Sequence, residues 1–176
     1  MVAVDRAAGR FRHLKLYYMI GLPTETETDL HALIELALAI RARFPGRLTV
    51  NITPFVPKAH TPFQWAPMAS QFTLDAHIAA IQSRLRTAGI DVRAESPAWA
   101  RIQGALSRGD RQVGEALMRL RRLSQAGWRR ACEEAEVEPE LYLQARDLED
   151  TLPWDFIASV PSEGRLAREW AQVSIR

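Results

Sequence analysis

The sequence predicts an α/β protein in which a parallel sheet of about three strands, with its helices, precedes a purely α-helical region. Three observations carry that prediction. Residues 14–20 form a short, nearly continuous apolar and aromatic run, the pattern of a strand buried on both faces. Strand, helix and strand then succeed one another within roughly forty residues, which is a βαβ unit with parallel strands and a right-handed crossover. Past Pro97 every apolar pattern has the helical period.

Each element has its own signals. Residues 1–13 hold few apolar side chains in any period and read as a loose lead-in. Order starts at Leu14, and the first strand ends in the turn Gly21-Leu22-Pro23. Thr24, Thr26 and Thr28 then offer N-cap hydroxyls, and Glu25, Glu27 and Asp29 put negative charge at the amides of a starting helix. Leu30, Leu33, Ile34, Ala37, Leu38, Arg41 and Phe44 keep the 3.6-residue period until Pro45-Gly46 stops it. Residues 48–55 alternate through Leu48, Val50 and Ile52 as a second strand. After a loop stiffened by Pro54, Pro57, Pro62 and Pro67, a helix marked by Leu74, Ile78, Ile81 and Leu85 ends at Gly89, and residues 90–94 make a third strand. Helical patterns follow at Trp99, Ile102 and Leu106; at Val113, Leu117, Leu120 and Leu123; and near 128–136, 139–149 and 162–172. The expected organisation is a lead-in at 1–13, an α/β portion at 14–95 and a helical extension at 96–176. Three parallel strands form a small layer with two open edges, so part of the expected cover is missing.

Composition narrows the function. A chain of 176 residues suits one domain, and 23 basic against 21 acidic residues give no general case for binding nucleic acid or membrane. The longest apolar run, near 33–40, is broken by Glu35 and too short to span a bilayer, so a cytoplasmic protein without membrane partners is expected. Cys132 is the single cysteine. It excludes an internal disulfide and any multi-cysteine zinc or iron–sulfur site built from this chain alone.

Two loops stand out. Gly21-Leu22-Pro23-Thr24-Glu25-Thr26 lies at the carboxyl end of a predicted parallel strand, where ligands bind in open sheets and barrels alike. Gly21 permits close backbone approach and the helix start beyond can receive an anion, although Glu25 and Glu27 argue against phosphate. The equally good structural reading is a capped turn. The second loop, residues 51–65, sets Asn51, Lys58, His60 and Gln64 among Phe55, Phe63, Trp65 and stiff prolines, in the manner of a pocket wall. Its plainer reading is a connector packed on the core. Lys58 is one of two lysines beside 21 arginines, the other being Lys15.

Other chemistry finds little support. His13, His31, His60 and His77 show no metal-ligand spacing, Cys132 reads as an inert thiol, and no nucleophile elbow, phosphate-cradling glycine loop or zinc-protease pair occurs. Charge is segregated: residues 101–130 hold eight arginines against Asp110 and Glu115, whereas 131–155 hold nine acids against Arg146. Two solvated faces attracting one another explain this, and the sequence favours that account. The sharper alternative is an RNA- or phosphate-facing patch including Arg108, Arg111, Arg119, Arg121 and Arg122, which lacks interleaved aromatics for stacking.

Taken together, residues 15–26 and 51–65 resemble the carboxyl-terminal half of a radical S-adenosylmethionine (radical SAM) domain, in the subgroup of uncharacterised function often fused to a cobalamin-binding-like domain. Ser107-Arg108-Gly109-Asp110-Arg111 and Leu152-Pro153-Trp154-Asp155-Phe156-Ile157 are similar to the same subgroup, so the resemblance extends from residue 14 to about 172. Ala59 stands where kin usually carry proline. The resemblance implies a partial (β/α) barrel whose complete form holds S-adenosylmethionine and a [4Fe–4S] cluster on three cysteines that precede this region in the family. It implies that Gly21, Leu22, Pro23 and Glu25 at one strand end, with Asn51, Pro54 and Phe55 at the next, border the S-adenosylmethionine pocket. It leaves Lys58, His60 and Gln64 as substrate-side candidates. No catalytic or metal-ligating residue is expected in this chain, which alone should bind neither cofactor, and a partner chain or amino-terminal half carrying the cysteines is expected. The alternative is a stand-alone protein- or RNA-binding assembly module without catalytic activity.

Overall fold

The computed structural model describes residues 1–157 and 163–174, divided into two compact units, one of residues 1–55 and 69–97 and one of 56–68 and 98–176. The loop at 56–68 therefore belongs with the helical region, although in sequence it interrupts the α/β portion.

The first unit contains α1 (Val2–Ala7), β1 (His13–Ile20), α2 (Glu27–Arg43), β2 (Arg47–Pro54), α3 (Gln71–Thr87) and β3 (Asp91–Ala94). The short α1 stands where a loose lead-in was expected: Val4 is buried and Asp5 pairs with Arg43 of α2 at 3.3 Å. All strand pairs are parallel, in the order β1-β2-β3, with Tyr17 opposite Asn51, Ile20 opposite Pro54 and Ile52 opposite Ala94. A mixed α/β chain with a three-stranded parallel sheet is thus the observed architecture. The first strand begins one residue earlier than its apolar run because the His13 ring hydrogen-bonds to the Thr49 hydroxyl at 2.9 Å. Among the three threonines, Thr26 is the cap. Its hydroxyl accepts from the Asp29 amide while the Asp29 carboxylate accepts from the Thr26 amide, a capping box that starts α2 at Glu27.

Register divides the sheet into unlike faces. One carries Leu14, Leu16, Tyr18 and Ile20 with Leu48, Val50 and Ile52, the last three and Ile20 almost fully buried, and the apolar stripes of α2 (Leu30, Ile34, Ala37, Ile40) and α3 (Leu74, Ile78, Ile81, Leu85) complete the core. Burial pushes the Tyr18 hydroxyl above its ordinary pKa, and its oxygen has no hydrogen-bond partner among the described residues. On the other face His13, Lys15, Tyr17 and Met19 are exposed, Tyr17 at 74% and Met19 at 50%.

The second unit holds a 3-10 turn at Pro62–Trp65, α4 (Pro97–Arg108), α5 (Arg111–Arg119), α6 (Gln125–Glu134), a second 3-10 turn at Pro139–Leu143 and α7 (Glu163–Ser174). Its core gathers Trp65, Leu152, Trp154 and Leu166, with Trp170 packed against them. Helix formation stops earlier than the periodicity suggests at two places. After Arg119 the chain turns extended so that Ser124 can cap α6 by accepting from the Gly127 amide. After Leu143 the backbone is diverted to tertiary partners: the Met68 amide donates to the Leu143 carbonyl and the Arg146 amide to the Trp65 carbonyl. The expected helix at 162–172 is α7, and its residue 162 lies outside the described residues.

Candidate functional site

The sequence-selected residues fall into two groups. Gly21, Leu22, Pro23 and Glu25 form the turn after β1 in the first unit, and Asn51, Pro54 and Phe55 occupy or follow the end of β2 beside it, where the Phe55 amide donates to the Ile20 carbonyl at 2.8 Å. Lys58, His60 and Gln64 belong to the second unit.

In the turn, Gly21 and Glu25 both have structural partners. Gly21 has φ of +78°, and a Cβ there would stand 2.7 Å from Leu74 Cδ2 and 3.2 Å from Ala69 Cβ. Glycine is required here so that α3 can pack on the turn. Glu25 is half-buried; its carboxylate accepts from the Gly21 amide at 3.0 Å and lies 3.2 Å from His77 Nδ1. Asn51 lies on the exposed sheet face opposite Tyr17, and its amide reaches the Leu16 carbonyl at 3.5 Å.

In the second unit the loop is built around Gln64, which is 2% exposed. Its side-chain oxygen accepts from the His60 amide at 3.0 Å and from the Trp154 indole N–H at 2.9 Å. That bond holds His60 in the left-handed region, at φ of +57°, a conformation that costs a non-glycine residue about 1 kcal/mol. Gln64 is therefore an anchor, whereas Ala59 lines a cavity of about 510 Å³. The cavity's other walls come from both downstream segments singled out in the sequence: Ser107, Asp110 and Arg111 from one, Leu152, Trp154 and Phe156 from the other. A space of that size with polar groups on an apolar wall suits a small ligand.

Behind the cavity sits a buried cation. Arg108 is fully buried, and its guanidinium donates to the Ala66 carbonyl at 2.5 Å and the Gln144 carbonyl at 2.7 Å. Arg146 donates to the Arg108 carbonyl at 3.0 Å and its guanidinium lies over the Trp154 ring, 5.2 Å from the centroid. Burial, with Arg146 nearby, lowers the Arg108 pKa to about 10, which still leaves it charged at neutral pH. Asp110 accepts from the Gln112 amide and from the Tyr142 hydroxyl at 2.8 Å; burial and that carboxylate push Tyr142 up to about 12. Arg146 and Tyr142 were missed by the sequence reading. Their types and spacing carry no signal, and only the fold brings them to Arg108 and Asp110.

Arg108 thereby leaves the arginine patch proposed from sequence, and Arg111 lines the large cavity instead. Arg119, Arg121 and Arg122 do come together, joined by Arg130. Between the oppositely charged stretches, Arg101 pairs with Glu140.

A three-cysteine cluster does not fit this chain. Cys132 is its one cysteine and is buried on α6, where burial and Glu133 raise its thiol pKa. Among the described residues no three His, Cys, Asp or Glu side chains stand together to hold a metal. Nor, among them, is any helix long and apolar enough to cross a membrane.

Comparison with known proteins adds one relative. Over 106 residues, 59% of this chain, the sequence is 32% identical to the uncharacterized protein MJ0966 of Methanocaldococcus jannaschii. The chain spans only 23% of that relative's length. No family profile and no solved structure matches.

Proposed function

We propose that this chain is the carboxyl-terminal portion of a radical SAM enzyme, completed by a chain or segment that holds the cluster cysteines. One observation carries the proposal. All-parallel sheets are normally covered on both faces, yet β1 is an edge strand with Tyr17 and Met19 exposed on a face that no described helix of the first unit lines. Further strands pairing with β1 would cover that face and turn it into the inside of a (β/α) barrel. That the chain spans only 23% of a much longer relative is in keeping with this. In this reading Gly21, Leu22, Pro23, Glu25, Asn51, Pro54 and Phe55 shape one rim of the S-adenosylmethionine pocket from behind, since Gly21 and Glu25 are already engaged with α3. The cavity between Ser107–Arg111 and Thr151–Ile157 is the substrate side, with Lys58 and His60 in the loop that contributes Ala59. The cluster and S-adenosylmethionine would supply the radical chemistry, and this chain would supply binding surface.

The test is reconstitution with a partner bearing a Cys-x-x-x-Cys-x-x-Cys loop. The pair should show iron–sulfur absorbance and release 5′-deoxyadenosine from S-adenosylmethionine, while this chain alone shows neither. Replacing Tyr17 and Met19 with aspartate should abolish pairing. A pair that assembles without cluster absorbance or 5′-deoxyadenosine, or aspartates that leave pairing intact, overturns the reading.

A further inference from the structure

The connector between α5 and α6 holds a site that the radical SAM reading does not use. Arg119, Arg121, Arg122 and Arg130 line one cavity of about 220 Å³, with Glu134 the single carboxylate on its wall. All four arginines are exposed, and the structure gives none of them an ion-pair partner among the described residues. Four guanidiniums around one concave space repel one another, and a compact anion removes that cost. The cavity is also built with some care. A Cβ at Gly127 would collide with the Arg122 carbonyl, so glycine is what lets the arginine connector lie directly on the first turn of α6, where Ser124 caps it.

The cavity has an apolar neighbour. Ser124 belongs both to it and to a groove of about 180 Å³ whose walls include Leu117, Leu120, Leu123 and Trp128. Leu123 is 82% exposed and Leu117 45%. A planar guanidinium binds phosphate through two parallel N–H bonds, which a lone surface lysine cannot do. Arginines beside an apolar groove therefore match a ligand that joins a phosphate to an apolar or aromatic body. We propose that Arg119, Arg121, Arg122 and Arg130 bind a phosphate group whose attached body lies in the adjoining apolar groove.

Phosphate of this kind comes from a small phosphorylated molecule or from single-stranded RNA, and the experiment separates them. The full chain is titrated by calorimetry at low salt with inorganic phosphate, AMP and a short single-stranded RNA. AMP should saturate one site and bind more tightly than phosphate, because only AMP fills the groove. Replacing Arg121 and Arg122 with glutamine should weaken binding about ten-fold or more, as loss of charged hydrogen bonds does. Replacing both with lysine, which keeps the charge, should still weaken it several-fold. Arg86→Gln, an exposed arginine of the first unit that lines neither this cavity nor the larger one, should leave it within about two-fold. RNA binding far tighter than AMP, with a steep salt dependence, assigns the phosphate to a nucleic-acid backbone; AMP equal to or tighter than RNA assigns it to a small molecule. The proposal is overturned if none of the three probes saturates while the circular dichroism melt confirms folding, if lysine restores full affinity, or if Arg86→Gln weakens binding as much as the cavity variants.

Discussion

Glu25 in the first unit and Arg108 in the second are both charged side chains turned inward to hold backbone, and they do so over very different distances along the chain. Glu25 takes the Gly21 amide four residues before it, within one turn. Arg108 ties Ala66, 42 residues earlier, to Gln144, 36 residues later. The first arrangement organises a turn that its own residues already favour. The second creates a loop conformation that no local preference supports, and it places a full charge where only carbonyl oxygens compensate it. A candidate functional segment can thus be held from within or from afar, and the consequences of mutation differ accordingly.

The largest effect should come from breaking the distant tie. Arg108→Ala removes a buried cation and leaves the Ala66 and Gln144 carbonyls unpaired, so urea denaturation should show a loss of about 3–5 kcal/mol. Faster hydrogen exchange at the Met68 and Arg146 amides, which bridge the same segments, would localise that loss. Gly21→Ala attacks the local arrangement, forcing a Cβ against Leu74 at positive φ, and should cost about 2–3 kcal/mol in the same assay. Gln64→Leu comes next, at about 1–3 kcal/mol, because the His60 amide and Trp154 indole both lose their acceptor; the Trp154 indole proton should shift in NMR spectra. Glu25→Gln should cost under about 1 kcal/mol, since an amide oxygen still accepts from Gly21. A cost equal to that of Arg108→Ala would erase the contrast between the two regions.

The mildest probe is pH. Tyr142 has its pKa raised to about 12 in the folded chain by burial and Asp110, against an ordinary value near 10. A raised value means that its contribution to stability is complete below pH 10 and is lost as pH climbs toward 12. Ultraviolet titration should therefore show a tyrosinate transition near pH 12 that disappears in Tyr142→Phe, while the raised transition of Tyr18 remains.

What could be read from the sequence follows the same division. The strand of residues 14–20, the stripe from Leu30 to Phe44 and the alternation at Leu48, Val50 and Ile52 are consecutive signals, and the parallel sheet they predict is present. The capped turn was legible too, down to a choice among three threonines. The short helix at Val2–Ala7 was not, because one buried valine and an ion pair to Arg43 hold it rather than any periodicity. In the helical region periodicity named most helices but extended two of them, at 119 and 143, where backbone groups leave to meet distant partners. The candidate site was partly legible: the two downstream segments were singled out, and they do line one cavity. That Gln64 would be an anchor, or Arg108 a buried cation, depends on partners 36 to 90 residues away, and a single sequence does not display those.

The bond between Gln64 and Trp154 also sets a timetable. Its two residues are 90 positions apart, so on a ribosome adding about 5–20 residues per second the loop emerges several seconds before the indole that will hold it. During that interval Trp65 is outside the tunnel with its later neighbours Leu152 and Leu166 still unmade, and Phe63 with Trp170 unmade. Pro57, Pro62 and Pro67 are spaced through the same stretch, and each lacks the amide needed to join a β-ladder. The prolines that give the finished loop its shape thus also keep the nascent one from adding itself to the open edge of the two strands already made.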